Sequence, residues 1–420
     1  MLFSQAREPP LTPPPTPSVA NLSSYSLAAI VVFVHILFRS IFSARASRLR
    51  ELSDNETFVP VTTRDQPWDK RKRKTVCVTG GAGFLGSAVV RRLAENSDVI
   101  VLDRRQPKER VLGVNYIVVN DLALADLTDF FARADVVAHV AGLVFLRDDA
   151  ALLHNAHVVV TRNVVRCARR AGVQALCFTS SGGAITSPYV RTSQLRVPCD
   201  LEVDTATFPF ASHYSRCKYA AERDVLASNE DGFATLALRL PGLYGLGDVL
   251  IVDPLLDGRL SHVPSRMGAD GCPIDFCYVE NAAHAHAVAI DALLARPASV
   301  GGRTFNITDG EAETRPVVAM WNELLTVCKP GAPKLRPLPY PAAYALACLT
   351  EAIDWYTSGQ VPWPSHALWG LTRSSLGFAT TPISLALSAD LGYVPRFTAA
   401  QSFADIKRRW EAGVEPKKAL

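Results

Sequence analysis

Tyr214 and Lys218 stand four residues apart in Tyr214-Ser215-Arg216-Cys217-Lys218, a stretch that continues through Ala220, Ala221 and Glu222 with good helix propensity. Residues at this spacing share one helix face. A phenol with an ordinary pKa of about 10 is a poor base at neutral pH, but a neighbouring ammonium favours its phenolate. Such a phenol can take the proton of a secondary alcohol while hydride leaves the alcohol carbon; in the reverse direction it is the acid. A serine hydroxyl would hold the substrate oxygen in line. Thr179-Ser180-Ser181-Gly182-Gly183 supplies two, and alternation along a strand leaving through them favours Ser181, with Ser180 beside it as the alternative. A Tyr-x-x-x-Lys pair is weak taken alone. His213, just before the helix, reads as a cap or a solvated side chain.

Hydride needs an acceptor, and a dinucleotide site stands upstream. Val76-Cys77-Val78 is a short strand run, Thr79 to Gly86 is rich in glycine, and an Ala/Val/Arg/Leu stretch of helical character follows to Ala94. In this strand, turn and helix, Gly80 permits the tight turn, Gly83 lets backbone amides approach a pyrophosphate, and Gly86 lets the helix pack close to the strand. Phe84 and Leu85 open the helix within the same contact region. A second apolar strand, Val99–Leu102, ends in Asp103, 23 residues after Gly80, where a carboxylate can accept hydrogen bonds from ribose hydroxyls. That favours NAD, while Arg104 and Arg105 leave NADP open.

Further β-rich runs follow. Tyr116–Val119 leads to Asp121-Leu122, an adenine-edge contact, and Val136–Gly142 ends in small residues, of which Ala141 leaves room for cofactor. A helix over about 150–171 and the strand Ala175–Phe178 complete several βα units, so the expected fold is α/β with a doubly wound parallel sheet of Rossmann type. Beyond about residue 241 this rhythm fades and a smaller, irregular substrate lobe is expected.

The chain of 420 residues is long enough for a large core. With 48% hydrophobic and 20% charged residues it is not a disordered polar protein. Its 44 basic and 40 acidic side chains are too balanced for a nucleic-acid binder. Nine cysteines at irregular spacing, with no Cys-x-x-Cys pair, read as reduced and buried. Residues 1–24 form a Pro-rich disordered tail. Residues 25–44 have the length and apolarity of a transmembrane anchor, with a targeting peptide or a peripheral helix as alternatives. Residues 45–74 form a basic polar linker whose Arg and Lys residues keep the catalytic part in the cytosol. The dinucleotide domain is placed at 75–240 and the substrate lobe at 241–420. No metal is expected: Glu280, His284 and His286 could be argued as ligands, but positions i and i+2 of a helix do not face each other.

Taken together, these residues resemble the extended short-chain dehydrogenase/reductase superfamily over about residues 75–400. Within it the chain is similar to the 3β-hydroxysteroid dehydrogenase family, including sterol-4α-carboxylate 3-dehydrogenases. The stretches that carry the resemblance are Leu238–Asp248, Asp275–His286 with its Tyr278-Val279-Glu280-Asn281, Phe305–Gly310 and Leu391–Pro395. The resemblance implies that Pro241 lies beside the nicotinamide and that Tyr214, Lys218 and Ser181 are catalytic. Where the family carries Asn-Val-x-Gly-Thr, this chain has His157-Val158-Val159-Val160-Thr161.

The implied activity is NAD(P)-dependent oxidation of the 3β-hydroxyl of a sterol or triterpenoid. A 4α-carboxylate, if present, would be lost from the resulting β-keto acid. With the apolar N-terminal run, the resemblance implies a single-pass protein of the endoplasmic reticulum membrane with a lipophilic substrate, and it leaves a homodimer open. The apolar run 339–349 could be core or could dip into a leaflet. The competing readings are a nucleotide-sugar epimerase or dehydratase, whose diphosphate substrate would need a more polar lobe, and a protein that senses NAD(P) without turnover. Asn306-Ile307-Thr308 is a glycosylation acceptor expected to stay bare on a cytosolic enzyme.

Overall fold

The computed structural model describes residues 73–143, 149–185, 202–208, 210, 212–249, 251–258, 273–310, 315–335 and 389–413. The expected tail, anchor and nearly all of the linker, as well as the apolar run 339–349, lie outside the described residues. Among the described residues no helix is long and apolar enough to cross a membrane.

Seven parallel strands form the central sheet: β1 Lys74–Thr79, β2 Ser97–Asp103, β3 Asn115–Val118, β4 Val136–His139, β5 Ala175–Ser181, β6 Ala234–Leu240 and β9 Arg303–Asn306. Their order is β9-β6-β5-β4-β1-β2-β3. Val76, Cys77 and Val78 of β1, and Val136, Val137 and Ala138 of β4, are fully buried, as strands covered by helices on both faces must be. The chain runs outward in one direction from β1 to β3 and in the other from β4 onward. The carboxyl ends of β1 and β4 therefore flank the switch point at which such sheets bind ligands.

Helix α1, Phe84–Ala94, returns from β1 and buries Ala88, Val89, Val90 and Leu93. The helix expected over 150–171 is present but is not uniform. Ala150–His154 (α2) leads into a π-helical turn at Asn155–Val159 before α3, Val160–Arg170, resumes. The extra residue of such a turn re-aims side chains, and π-turns cluster at functional sites. This turn contains His157 and falls on the segment that departs from the family pattern. Helix α4, His213–Ala227, begins at Ser212, whose hydroxyl accepts from the Ser215 amide.

The expected boundary at 240 is not where the sheet ends. Helix α5, Val279–Ala295, packs against α1, and β9 pairs with β6 from Arg303↔Leu236 to Asn306↔Arg239. The βα rhythm resumes after an interruption of nearly forty residues, between Leu240 and Val279, and that interruption hid it from a reading by periodicity. Within it, β7 Gly242–Tyr244 pairs with β8 Phe276–Tyr278 as a separate two-stranded sheet. Buried Asp309 holds this sheet to the C-terminal part of the chain. It accepts from the Tyr278 amide, from Asn281 Nδ2 at 2.7 Å and from the Tyr244 hydroxyl at 2.9 Å, and burial pushes its carboxyl up to about 6. Asn281 in turn accepts from the amides of Arg396 and Phe397. The Tyr-Val-x-Asn motif is thus a structural hub. Asn306 and Thr308 of the glycosylation acceptor are buried, at 0% and 2% exposure, so the folded protein does not present that sequence.

Cys77, Cys167, Cys177, Cys217, Cys277 and Cys328 are all buried free thiols. His286 is held by the Ala282 carbonyl on Nδ1 at 2.7 Å and by Thr179 Oγ1 on Nε2 at 2.8 Å, which accounts for both ring nitrogens by packing.

Candidate active site

The turn after β1 is shaped by what cannot be added to it. Gly80 has φ +77°, and a Cβ there would lie 2.6 Å from the Ala141 Cα, so Ala141 and the turn are packed backbone to backbone. A Cβ at Gly86 would lie 2.0 Å from the Gly80 carbonyl oxygen. Gly83 is the N-cap of α1, with Phe84 and Leu85, both half-buried, as its first helical residues. The Asp103 carboxylate, at the end of β2, accepts from the Ala82 amide at 2.9 Å and the Arg105 amide at 3.2 Å. A glycine cradle at a helix N-terminus with a buried carboxylate at the next strand end fits a dinucleotide pyrophosphate and ribose.

A Gly86→Ala substitution should cost about 1–3 kcal/mol of overpacking. It should weaken dinucleotide binding at least tenfold, as a fluorescence titration and a thermal melt would record.

Asp121 is exposed and its carboxylate closes a local turn on the Ala123 amide at 2.8 Å, while the Leu122 carbonyl accepts from Asn163. The pair therefore forms the loop that follows β3. Pro241, buried, follows β6 directly.

The catalytic candidates converge at the carboxyl end of β5. The Ser181 hydroxyl faces the Tyr214 phenol closely enough to act on it, and Ser181 Oγ accepts from the Gly183 amide at 3.1 Å. Ser180 points the other way, donating to Glu222 Oε2 at 2.6 Å. Burial raises the Tyr214 phenol above its ordinary value, and the Ser181 hydroxyl opposes that rise. The ammonium expected to act on the phenol is engaged elsewhere. Lys218 Nζ donates to the Thr179 carbonyl at 2.9 Å and lies 5.0 Å from the centre of the Phe178 ring. Burial pushes Lys218 down to about 8, against the pull of the Glu222 carboxylate. Lys218 also lies against Gly142: a Cβ there would stand 3.3 Å from its Nζ.

Sequence reasoning passed over three participants. Glu222 continues the Tyr214, Lys218 face by one more turn, and it pairs with Arg239 of β6 through Nη2 at 2.5 Å and Nε at 3.0 Å. Both side chains are almost wholly buried. The i, i+4 spacing from Lys218 was the available signal for Glu222, whereas nothing local marks Arg239 as its partner. The third is His157, whose ring meets the Tyr214 ring edge-on at 5.2 Å.

This fold and site define an oxidoreductase of the dinucleotide-dependent, extended short-chain type. The chain belongs to the 3-beta hydroxysteroid dehydrogenase/isomerase family, whose model matches residues 77–333. Among curated relatives, it is 30% identical to a 2-alkyl-3-oxoalkanoate reductase of Stenotrophomonas maltophilia, over 79% of this chain and 98% of that one. It is also 30% identical to the decarboxylating sterol-4-alpha-carboxylate 3-dehydrogenase of Mus musculus, over 68% and 77%. Among solved structures, MoeE5 in complex with UDP-glucuronic acid and NAD aligns with a TM-score of 0.58 at 21% identity, covering 81% of this chain and 99% of that one. That likeness is one of fold.

Proposed function

We propose that the protein oxidises, with NAD or NADP, the 3β-hydroxyl of a sterol or triterpenoid, and that its preferred substrates carry a carboxyl group on the neighbouring carbon. The observation that carries this reading is the meeting of Ser181 with Tyr214 at the carboxyl end of β5, where buried Lys218 also reaches the Thr179 carbonyl. The bound cofactor supplies the hydride acceptor. Ser181 Oγ holds the alcohol oxygen and Tyr214 Oη takes its proton. Asp103, at the adenosine end of the cradle, favours a free ribose 2′-hydroxyl and hence NAD.

The printed names of two relatives share one piece of chemistry. A 2-alkyl-3-oxo acid and the ketone first formed by oxidising a sterol 4α-carboxylate at C3 are both β-keto acids substituted at the α-carbon. After oxidation a 4α-carboxylate can leave as carbon dioxide through the enolate of the new ketone, with no further catalytic acid. The bacterial relative, matched over nearly its whole length, supports a second reading in which the same residues reduce a 2-alkyl-3-oxo acid and Tyr214 delivers the proton. Purified protein with NAD and NADP, offered 3β-hydroxysterols with and without a 4α-carboxyl group, tests the first reading through formation of reduced cofactor. Absence of turnover on every sterol, with turnover of 2-alkyl-3-hydroxy acids, would favour the second.

The direction of the Tyr214 shift fixes a pH dependence. A phenol held above its ordinary value must lose a proton to act as base, so the rate of oxidation should climb as pH rises from about 6 until Lys218, near 8, loses its charge. Reduction should fall over the same range. Steady-state kcat/KM in both directions checks this. Residues 25–44 would anchor the enzyme in the endoplasmic reticulum membrane with the site in the cytosol, a placement supported by the apolar run and its basic C-terminal flank. Deleting residues 1–44 should release the protein from the membrane fraction.

A further inference from the structure

His157 is 1% exposed, and its two ring nitrogens have unequal surroundings. Nε2 lies 3.0 Å from the Leu143 carbonyl oxygen, an acceptor, so Nε2 carries the proton and donates. Nδ1 is then a lone pair, and it is buried with no hydrogen-bond partner in the protein. Burial and the Lys218 charge push the ring down to about 3, which keeps it neutral at any physiological pH. A buried acceptor left unpaired costs about 1–3 kcal/mol, so this nitrogen calls for a donor.

One donor of matching chemistry stands beside it. A Cβ at Gly142 would meet Lys218 Nζ at 3.3 Å, His157 Cε1 at 3.3 Å and His157 Nδ1 at 3.6 Å. The histidine edge and the ammonium therefore both approach the same glycine, and a side chain there would require each to give by a few tenths of an ångström. The Thr179 carbonyl occupies one proton of the ammonium, and two more remain to be directed. The π-helical turn that carries His157 gives the ring this aim.

We infer that His157 is a positioning residue for the proposed dehydrogenation: its Nδ1 accepts, through one water held against Gly142, a hydrogen bond that originates at the Lys218 ammonium, and so keeps Lys218 charged and in place at the site. The inference rests on the dehydrogenase reading for its kinetic consequences but not for its geometry. An acceptor beside an ammonium favours the charged form. Removing it lets burial depress Lys218 further, and the alkaline limb of the oxidation profile moves to lower pH.

Two variants and one spectrum decide the matter. In cofactor-free protein labelled with 15N-histidine, the signal that disappears in His157→Asn should report a neutral ring protonated on Nε2 between about pH 5 and 8. His157→Phe keeps a ring but no acceptor. It should lower kcat about tenfold, leave both KM values within about twofold, and move the alkaline limb down by about one unit. His157→Asn can offer an amide nitrogen to Leu143 and an oxygen to Lys218, and it should retain the wild-type limb. A folded His157→Phe enzyme with an unmoved limb would overturn the inference, as would a ring protonated on Nδ1 or doubly protonated. If His157→Phe does not fold, the spectrum and the His157→Asn limb still decide. A wild-type protein inactive on every alcohol would refute the dehydrogenase reading while leaving the spectrum to judge the histidine.

Discussion

Replacing Tyr214 by Phe is expected to lower kcat for alcohol oxidation by about a thousandfold while leaving cofactor affinity nearly unchanged. General acid–base groups of this kind contribute roughly 10²–10⁴-fold. The substitution removes the hydroxyl alone, keeps the ring that meets His157 edge-on, and leaves Ser181 its bond from the Gly183 amide. Uniform binding is therefore spared and the loss falls on the chemical step. A drop confined to KM would mean that Tyr214 only fills space. Ser181→Ala removes the group that holds the substrate oxygen, and it should give a smaller fall in kcat, of about tenfold to a hundredfold.

Glu222→Ala should be the most damaging single change to stability. Glu222 takes a bidentate fork from Arg239 and a hydroxyl from Ser180, and the side chains of the ion pair are 1% and 2% exposed. Removing the carboxylate takes the facing charge away from a buried guanidinium, at a cost of about 3–5 kcal/mol. For a folded unit of this size, that corresponds to a melting point lower by about 10 °C or more. The damage should reach the site, since Glu222 is the carboxylate that sustains the Lys218 charge. A double replacement, Glu222→Leu with Arg239→Met, leaves no orphaned charge and should recover much of the melting point. It should not recover the pH profile. A single variant as stable as the parent would mean that the pair contributes nothing to the fold.

The parts of this molecule that a linear reading reaches are those whose constraint is local. The glycine turn is legible because Gly80 and Gly86 each answer to a neighbouring backbone atom, and Asp103 because a strand of fixed length delivers it to the loop. Tyr214 and Lys218 are legible as a helical pair. What the helical pair does not announce is that the Lys218 ammonium is itself tied to the Thr179 carbonyl. A side chain as long as lysine can reach the Thr179 carbonyl on the preceding strand, and only the three-dimensional crossing of β5 and α4 reveals that partner. Arg239, β9 and the Asp309 hub were hidden for the same reason, because each is defined by a partner far away in sequence. His157 was visible as a departure from a motif. Its meaning depends on a π-helical turn that no periodicity announces.

The most direct test uses a 3β-hydroxysterol deuterated at the alcohol carbon, with the reduced cofactor analysed by mass spectrometry. The account predicts that the deuterium appears in the reduced cofactor with wild-type protein and that Tyr214→Phe yields almost none. Ketone formed with unlabelled reduced cofactor, or labelled cofactor produced equally well without the Tyr214 hydroxyl, would contradict it.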